Sequence, residues 1–300
     1  MNMKHSIPIA ACMLLSAMAA RGQGDLLGQA NQEYRDGHLR EARALVDEAV
    51  KDAALAASPE VWVLRGFIYK DLYKEAAKPD ADVLRDEALA SLYTAVATDR
   101  AKKFTGSSRG AYWFLANTIY NDAVHALNNL EPDHATTYYA KYGETVRRMA
   151  PDTSMTRNDI DFQNALGTVY VKLYARDRTK LEWYDKALGT YKQVLAMDSN
   201  NYGANYNLAT LYYNRGVYNI QRLTPENDIP SLQQIQEASR EFFTAALPYM
   251  MKAHIMKPDR VETILGLENI HYSLQDEEKS RYYRRLFEEL KHDEVKEKER

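Results

Sequence analysis

One helical pattern recurs three times in this chain of 300 residues and limits what the chain can fold into. Each copy has a glycine or alanine at its fifth position and a tyrosine at its eighth. The copies are Trp62-x-x-Arg65-Gly66-x-x-Tyr69, Gln163-x-x-Leu166-Gly167-x-x-Tyr170 and Asn205-x-x-Leu208-Ala209-x-x-Tyr212. Spacings of three and four place the small residue and the tyrosine on one side of an α-helix. The pattern therefore predicts helices that pack closely against a neighbour.

A second helical pattern follows each copy. It has an alanine and, four positions later, a large apolar residue, as in Ala88 with Leu92 and Ala187 with Tyr191. Together the two patterns resemble the tetratricopeptide repeat, whose first helix reads W-x-x-L-G-x-x-Y and whose second carries an Ala followed by a large apolar residue. In an ideal array of that family, the next first helix follows the Ala by eighteen residues, and Asn205 follows Ala187 by 18.

The resemblance covers residues 23–290 and implies an all-α fold. We expect a right-handed superhelical solenoid of about six antiparallel helix pairs. The small positions of the six first helices are assigned to Ala30, Gly66, Asn117, Gly167, Ala209 and Gly266. In the third pair, Trp113, Asn117 and Tyr120 are assigned to the inward face. The inward faces of the second helices are assigned to Ala42, Val46 and Ala49, to Ala88, Leu92 and Ala95, to Ala187, Tyr191 and Val194, and to Ala246, Met250 and Ala253.

The connections within the pairs are longer than the family pattern requires. In an ordinary repeat the two small residues are about twelve apart. They are 22 apart from Gly66 to Ala88, 20 apart from Gly167 to Ala187, and 37 apart from Ala209 to Ala246. Two interpretations stay open: the added residues lengthen helices and form solvated loops, or they form a rim that binds a partner.

The N-terminus has the pattern of a secretory signal peptide. Lys4 precedes an apolar run from Ile7 to Ala20, which small residues close. We therefore predict a signal peptide over residues 1–22 and an exported mature chain, with cleavage after Ala19 as the alternative. A minor alternative is a lipoprotein anchored at Cys12, although the apolar run continues beyond that cysteine.

Charge and hydropathy limit the partners. The formal net charge is −3, and the basic residues do not collect on one stretch, so no nucleic-acid partner is expected. No later segment reaches eighteen consecutive apolar residues, so no transmembrane segment is expected, although peripheral association with an envelope complex is compatible with the composition. Residues 291–300 form a charged C-terminal tail with alternating signs.

The residue patterns of catalytic and metal sites are missing. The single Cys lies in the predicted signal peptide, and the His residues occur singly. There is no phosphate-binding glycine loop and no Gly-x-Ser-x-Gly motif. We therefore expect no enzymatic activity, no cofactor and no metal ion.

The family resemblance also implies where a partner binds. In that family, the groove is lined by first-helix residues that follow the small position by one and by four or five. Carried onto this chain, these are Asn31, Tyr34 and Arg35; Phe67, Lys70 and Asp71; Thr118, Asn121 and Asp122; Thr168, Val171 and Lys172; and Thr210, Tyr213 and Asn214. Of these, Lys70, Asp71, Tyr213 and Asn214 are expected to be exposed, because their chemistry suits a helix interface poorly.

Two functions of different class fit this surface. The first is an exported protein–protein interaction scaffold of the bacterial envelope type, which binds a peptide segment or an envelope protein in the concave groove. The alternative is a small-molecule or glycan-binding helical repeat protein of the outer membrane or periplasm. A glycan site would require aromatic rings displayed flat on the surface. Trp62 and Trp113 are assigned to internal repeat positions, and Trp183 is the one Trp outside the motif.

Overall fold

The computed structural model describes residues 26–224 and 228–298, and within them the chain is built from α-helices without a strand. The helices are α1 (26–35), α2 (Leu39–Ala49), α3 (Ala53–Ala56), α4 (Pro59–Glu75), α5 (Asp80–Thr98), α6 (Thr105–Asn128), α7 (Pro132–Met149), α8 (Thr156–Arg176), α9 (Leu181–Met197), α10 (Tyr202–Gln221), α11 (Ile229–Met256), α12 (Val261–Ser273) and α13 (Glu277–Lys298). The predicted signal peptide and Cys12 lie outside the described residues.

Consecutive helices form six pairs, with the single turn α3 between the first and the second. The pairs are α1 with α2, α4 with α5, α6 with α7, α8 with α9, α10 with α11, and α12 with α13. The two helices of a pair pack along each other and short connections join them, so they run antiparallel. The prediction of an all-α fold with about six antiparallel helix pairs is thereby confirmed for the described part of the chain.

Local sequence signals set several helix ends. Ser58, Asn201 and Asp228 each accept a backbone N–H from the first turn of the helix that follows, which satisfies donors left free at a helix start. At the end of α1, Gly37 has a φ of +83°, and at the end of α6, Leu130 has a φ of +60°. This left-handed conformation stops a helix and turns the chain back toward its partner.

The chain divides into two compact units, and the division passes through α6 and α7. Unit 1 comprises residues 26–122 and Ala140–Asp152. Its buried apolar side chains include Val46 of α2 and Ile68 of α4. The Tyr112 hydroxyl, on α6, donates a hydrogen bond of 2.8 Å to the Thr145 carbonyl oxygen of α7. Unit 1 is thus held together by an apolar core and by a buried polar contact.

Unit 2 comprises Ala123–Tyr139 and residues 153–298. One core cluster joins α8, α9 and α10 through residues such as Leu166, Tyr191 and Leu208. A second cluster joins α10, α11, α12 and α13 around Met250 and Tyr283. Each helix of this unit therefore contributes to a shared apolar interior.

The inward residues predicted for the second helices are confirmed. All twelve are buried, with exposed fractions of 2 % or less. Two of them, Leu92 and Tyr191, rest on the glycines of the first helices: a Cβ atom added to Gly66 would lie 2.7 Å from Leu92 Cδ2, and one added to Gly167 would lie 2.6 Å from Tyr191 Cε1. The large residue that follows the alanine by four thus occupies the space that the glycine leaves open.

The inward face predicted for α6 is wrong by one residue. Its buried positions include Tyr112, Leu115, Ala116, Ile119 and Ala123. Asn117 is exposed, and Trp113 and Tyr120 are half-buried. The small position is therefore Ala116, because an asparagine amide at a close helix contact would lose hydrogen bonds to water. In α12 the predicted small position is correct, because a Cβ atom added to Gly266 would lie 2.6 Å from Met250 Cε. Tyr272, six residues later, is 70 % exposed.

The added residues within the pairs mostly lengthen the helices. The connection between α4 and α5 is residues 76–79, and that between α8 and α9 is residues 177–180. The helix α11 has 28 residues, and α13 continues to Lys298, through most of the segment predicted as a tail. None of the described helices combines the length and the apolar character needed to cross a membrane.

Candidate binding groove

The first helices of unit 1 border an open groove, which we call the first-helix groove. Its first part, of about 390 Å³, lies among α1, α4 and the start of α6. Its second part, of about 280 Å³, lies between α4 and α6. Phe67 lines both parts, so the two parts are adjacent. The side chains that matter here are Leu27, Asn31, Tyr34, Phe67, Lys70, Lys74, Phe104 and Phe114.

Aromatic rings remain partly open to solvent along this groove. Phe114 is 46 % exposed, and Phe67 and Phe104 are half-buried. Completing the burial of such a ring removes apolar surface from water, which is favourable by about 25 cal/mol for each Å² buried. Partly exposed rings that share a groove are therefore a place where a partner gains binding energy.

Two ammonium groups stand beside the rings. Lys70 Nζ lies 4.7 Å from the centre of the Phe67 ring, and Lys74 Nζ lies 5.6 Å from that of Phe114. Both ammonium groups share one carboxylate, because Asp71 Oδ1 lies 3.2 Å from Lys70 Nζ and 2.9 Å from Lys74 Nζ. Two positive charges against one negative charge leave this part of the groove net positive.

Asp71 also fixes α1 to α4. The Tyr34 hydroxyl donates a hydrogen bond of 2.6 Å to Asp71 Oδ2. Burial alone would raise the pKa of Asp71, but the hydrogen bond from Tyr34 and the two lysines outweigh it and lower that pKa. Burial, reinforced by the Asp71 carboxylate, raises the pKa of Tyr34. Asp71 is thus an ionised anchor below the groove.

The structure places the predicted residues of the first two pairs unevenly. Asn31, Tyr34, Phe67 and Lys70 line the groove as predicted, while Arg35 is exposed but lies outside the lining. The exposure predicted for Lys70 and Asp71 is not observed, since their side chains are 15 % and 26 % exposed. Their mutual ion pair and the contact of Lys70 with Phe67 cover them.

The predicted residues of the third pair do not share one surface, because the inward face of α6 lies one residue away from the predicted face. Asn121 is exposed. Thr118 and Asp122 instead face the fully buried guanidinium of Arg85, whose Nη1 lies 3.3 Å from Thr118 Oγ1 and 2.7 Å from Asp122 Oδ2. Burial would lower the pKa of Arg85, but the Asp122 carboxylate outweighs it and raises that pKa. Asp122 therefore neutralises a buried charge.

The predicted residues of unit 2 differ in their surroundings. Lys172 and Asn214 are exposed, as expected for Asn214. The exposure predicted for Tyr213 is not observed: it is half-buried, because its ring packs near Phe243, with ring centres 5.4 Å apart. Thr168 and Thr210 donate hydrogen bonds to carbonyl oxygens of their own helices, and Val171 packs against the apolar core. Partner contact at these positions stays a prediction.

Four of the eight groove residues are missing from the sequence prediction: Leu27, Lys74, Phe104 and Phe114. Lys74 follows Lys70 by four residues, and this one-turn spacing could have indicated a continued stripe. Phe114 lies on α6, and the inward face of that helix was predicted from the adjacent Trp113, one residue away from the observed face. The sequence prediction therefore did not place Phe114 on the groove side. Phe104 precedes α6 and carries no pattern signal. Among residues 26–224 and 228–298, no three His, Cys, Asp or Glu side chains are grouped so that they could hold a metal ion.

Comparisons with known proteins give little beyond this geometry. No protein-family model matches the sequence, and no curated protein matches it. Among solved structures, the chain is similar to a monomeric IFIT1 mutant with m7Gppp-AAAA, at 16 % identity over 87 % of this chain and a TM-score of 0.37. A second IFIT1 mutant, with Gppp-AAAA, gives 17 % identity over 86 % and a TM-score of 0.37. This chain spans 58 % of the IFIT1 chain in both cases, and so low a TM-score carries no argument about its function.

Proposed function

We propose that this protein is an exported interaction scaffold that binds a peptide segment of an envelope protein in the first-helix groove. The observation that carries the proposal is the row of partly open rings, Phe67 and Phe114, with the ammonium groups of Lys70 and Lys74 beside them. Interface energy concentrates in a few aromatic and charged anchors of this kind. Export is proposed from the N-terminal signal pattern.

The groove suggests the chemistry of the segment. An apolar side chain would complete the burial of Phe114 and Phe67. A carboxylate one or two residues away would meet Lys70 and Lys74, of which only one is balanced by Asp71. The proposed ligand is therefore an extended segment with an apolar residue next to an acidic one.

The surroundings of the tryptophans favour a peptide over the glycan alternative. The Trp62 indole N–H donates a hydrogen bond of 2.8 Å to the Ala56 carbonyl oxygen. Trp183 stacks on Tyr170, with ring centres 5.9 Å apart. All three Trp side chains are half-buried, and Lys186 Nζ lies 4.7 Å from the centre of the Trp183 ring, so these rings are less available for stacking on a sugar than freely exposed ones.

Site-specific photo-crosslinking tests the proposal. The photoreactive residue p-benzoylphenylalanine replaces Phe114 in the full chain, which is expressed in the organism that encodes it. We expect an adduct whose crosslinked peptide, identified by mass spectrometry, carries an apolar residue beside an acidic one. The matched control places the same probe at Val83, which is 63 % exposed on α5 and lies outside the groove.

A synthetic copy of the crosslinked segment then gives an affinity. Phe114→Ser and Lys70→Ala should each weaken binding by about tenfold or more, while Val83→Ser should leave it unchanged. Equal adduct formation from both probe positions, or an unchanged dissociation constant in the two groove variants, would contradict the proposal.

A further inference from the structure

Three arginine side chains of unit 2 surround one tyrosine ring. The guanidinium carbons of Arg178, Arg215 and Arg222 lie 5.2, 5.6 and 5.7 Å from the centre of the Tyr218 ring. Cation–π attraction to the ring holds each guanidinium in place. We call these four residues the Tyr218 arginine cluster.

The fold itself brings the cluster together. Arg215 and Tyr218 lie three residues apart on α10, and Arg222 follows one turn later at the end of that helix, so all three share one face. Arg178 comes from the connection of residues 177–180 between α8 and α9. The cluster therefore lies where two lengthened helix pairs make their connections.

The positive charges of this cluster have no described counter-charge. Within residues 26–224 and 228–298, no carboxylate lies within 4.0 Å of the three guanidiniums. Asp177, which precedes Arg178 in the sequence, accepts hydrogen bonds from the Thr179 hydroxyl and backbone N–H. Arg215 Nη1 donates to the Tyr174 hydroxyl at 2.8 Å, a neutral acceptor.

Like charges this close repel one another, so a bound anion would stabilise the arrangement. One carboxylate carries a single negative charge and would leave two of the three guanidiniums unbalanced. A phosphate monoester carries close to two negative charges and three acceptor oxygens, which match the planar forks of several arginines. Arg222 is exposed, which leaves a route for such a ligand.

We propose that the Tyr218 arginine cluster binds a phosphate group, supplied by a soluble phosphate compound or by a lipid headgroup. Its test is titration calorimetry of the full mature chain with inorganic phosphate at constant ionic strength. We expect saturable binding, weakened about tenfold by Arg222→Ala and further by Arg178→Ala/Arg222→Ala. Arg157→Ala, an exposed arginine of the same unit, should bind phosphate like the unchanged chain.

Further arms separate the sources. Flotation with phosphatidic acid vesicles, compared with phosphatidylcholine vesicles, reports a headgroup ligand, whereas phosphate binding without vesicle binding assigns the cluster to soluble phosphate compounds. Absence of both would overturn the proposal, and so would succinate that binds as tightly as phosphate.

Discussion

At the scale of the residue, close helix contacts in this protein depend on glycines that leave space for a side chain of another helix. Four of them meet such a side chain at 2.6–2.7 Å from where a Cβ would lie: Gly66 under Leu92, Gly167 under Tyr191, Gly216 under Phe243 and Gly266 under Met250. A glycine in a helix costs about 1 kcal/mol relative to alanine. These contacts offset that cost by letting large buried rings and chains approach the backbone.

Gly167→Leu should destabilise the protein by about 1–3 kcal/mol, because the new side chain would collide with the Tyr191 ring. Urea denaturation followed by circular dichroism measures the change. The control is Gly189→Ala on α9, where an added Cβ meets nothing within 4 Å and the helix should gain up to about 1 kcal/mol. Equal unfolding midpoints for Gly167→Leu and the unchanged chain would mean that the contact with Tyr191 is absent.

Asp122→Ala should also destabilise the protein, by about 3 kcal/mol, because it leaves the buried Arg85 guanidinium with less compensating charge. Asp82 remains 2.5 Å from Arg85 Nη2, which keeps the loss at the low end for a broken buried pair. Asn121→Ala, at the exposed neighbour, should stay within about 0.5 kcal/mol of the unchanged chain. A peptide-binding defect in Asp122→Ala without loss of stability would contradict this role and support the predicted role of Asp122 as a groove residue.

At the scale of the element, the second helices were predictable and the third first helix was not. An alanine followed by a large apolar residue four positions later forms a ridge on a helix surface, which packs into a groove of the neighbouring helix. Ala187 and Tyr191, which are both buried, are an example. In α6, three aromatic residues are adjacent, Tyr112, Trp113 and Phe114, and the largest of them, Trp113, suggested the inward face. A tryptophan gains from partial burial too, so its size alone does not identify the buried position.

The wrong inward face of α6 also limits how much of the candidate groove could be predicted. Asn31, Tyr34, Phe67 and Lys70 follow from positions on α1 and α4, whose small residues were placed correctly. Phe104 and Phe114 come from around α6 and become neighbours of Phe67 only through the packing of separate pairs. A repeat pattern predicts which residues leave a helix on one side, but not how far a neighbouring pair approaches.

The docking of α13 depends on two histidines that flank one ring. The ring centre of Tyr283 lies 5.7 Å from that of His254 on α11 and 5.6 Å from that of His271 on α12. Burial lowers the pKa of both histidines. The charged groups near them are Asp276, with Oδ2 3.3 Å from His271 Nδ1, and more distantly Lys279 and Asp259.

Stability should therefore fall on acidification. Each of these histidines has a lower pKa in the folded chain than its value of about 6.5 in the unfolded chain. Above pH 6.5 both states carry a neutral histidine, and stability is unaffected. Below pH 6.5 the unfolded chain binds more protons than the folded chain, which favours unfolding. The free energy of unfolding should be lower at pH 5.5 than at pH 7.5, measured in urea. His254→Gln/His271→Gln should show a smaller difference between the two pH values, and an equal difference would contradict the assignment to these histidines.

At the scale of the whole molecule, the two proposed sites belong to different units. The first-helix groove lies in unit 1 and the Tyr218 arginine cluster in unit 2. Since the two sets share no residue, effects of distant substitutions should be independent. Phe114→Ser should lose the peptide and keep phosphate, and Arg178→Ala/Arg222→Ala should do the reverse. Loss of both ligands in either variant would show that the sites are coupled.

The predicted export is also a property of the whole chain. Mass spectrometry of periplasmic or secreted material should find a new N-terminus between Ala20 and Gln23, because small residues close the apolar run there. The measurement uses unlabelled protein from the periplasmic or secreted fraction of the cells that encode it. Intact Met1 on cytoplasmic material would contradict export, while a lipid-modified peptide that begins at Cys12 would establish the anchored alternative.

The positions of the three tryptophans make the protein its own optical reporter. Trp62 and Trp113 belong to unit 1, and Trp183, stacked on Tyr170, belongs to unit 2. A chain with Trp183→Phe emits indole fluorescence from unit 1 alone, and one with Trp62→Phe/Trp113→Phe emits from unit 2 alone. Unfolding curves of the two chains therefore distinguish a single cooperative transition, with superimposed curves, from a stepwise one in which each half of the molecule melts at its own midpoint.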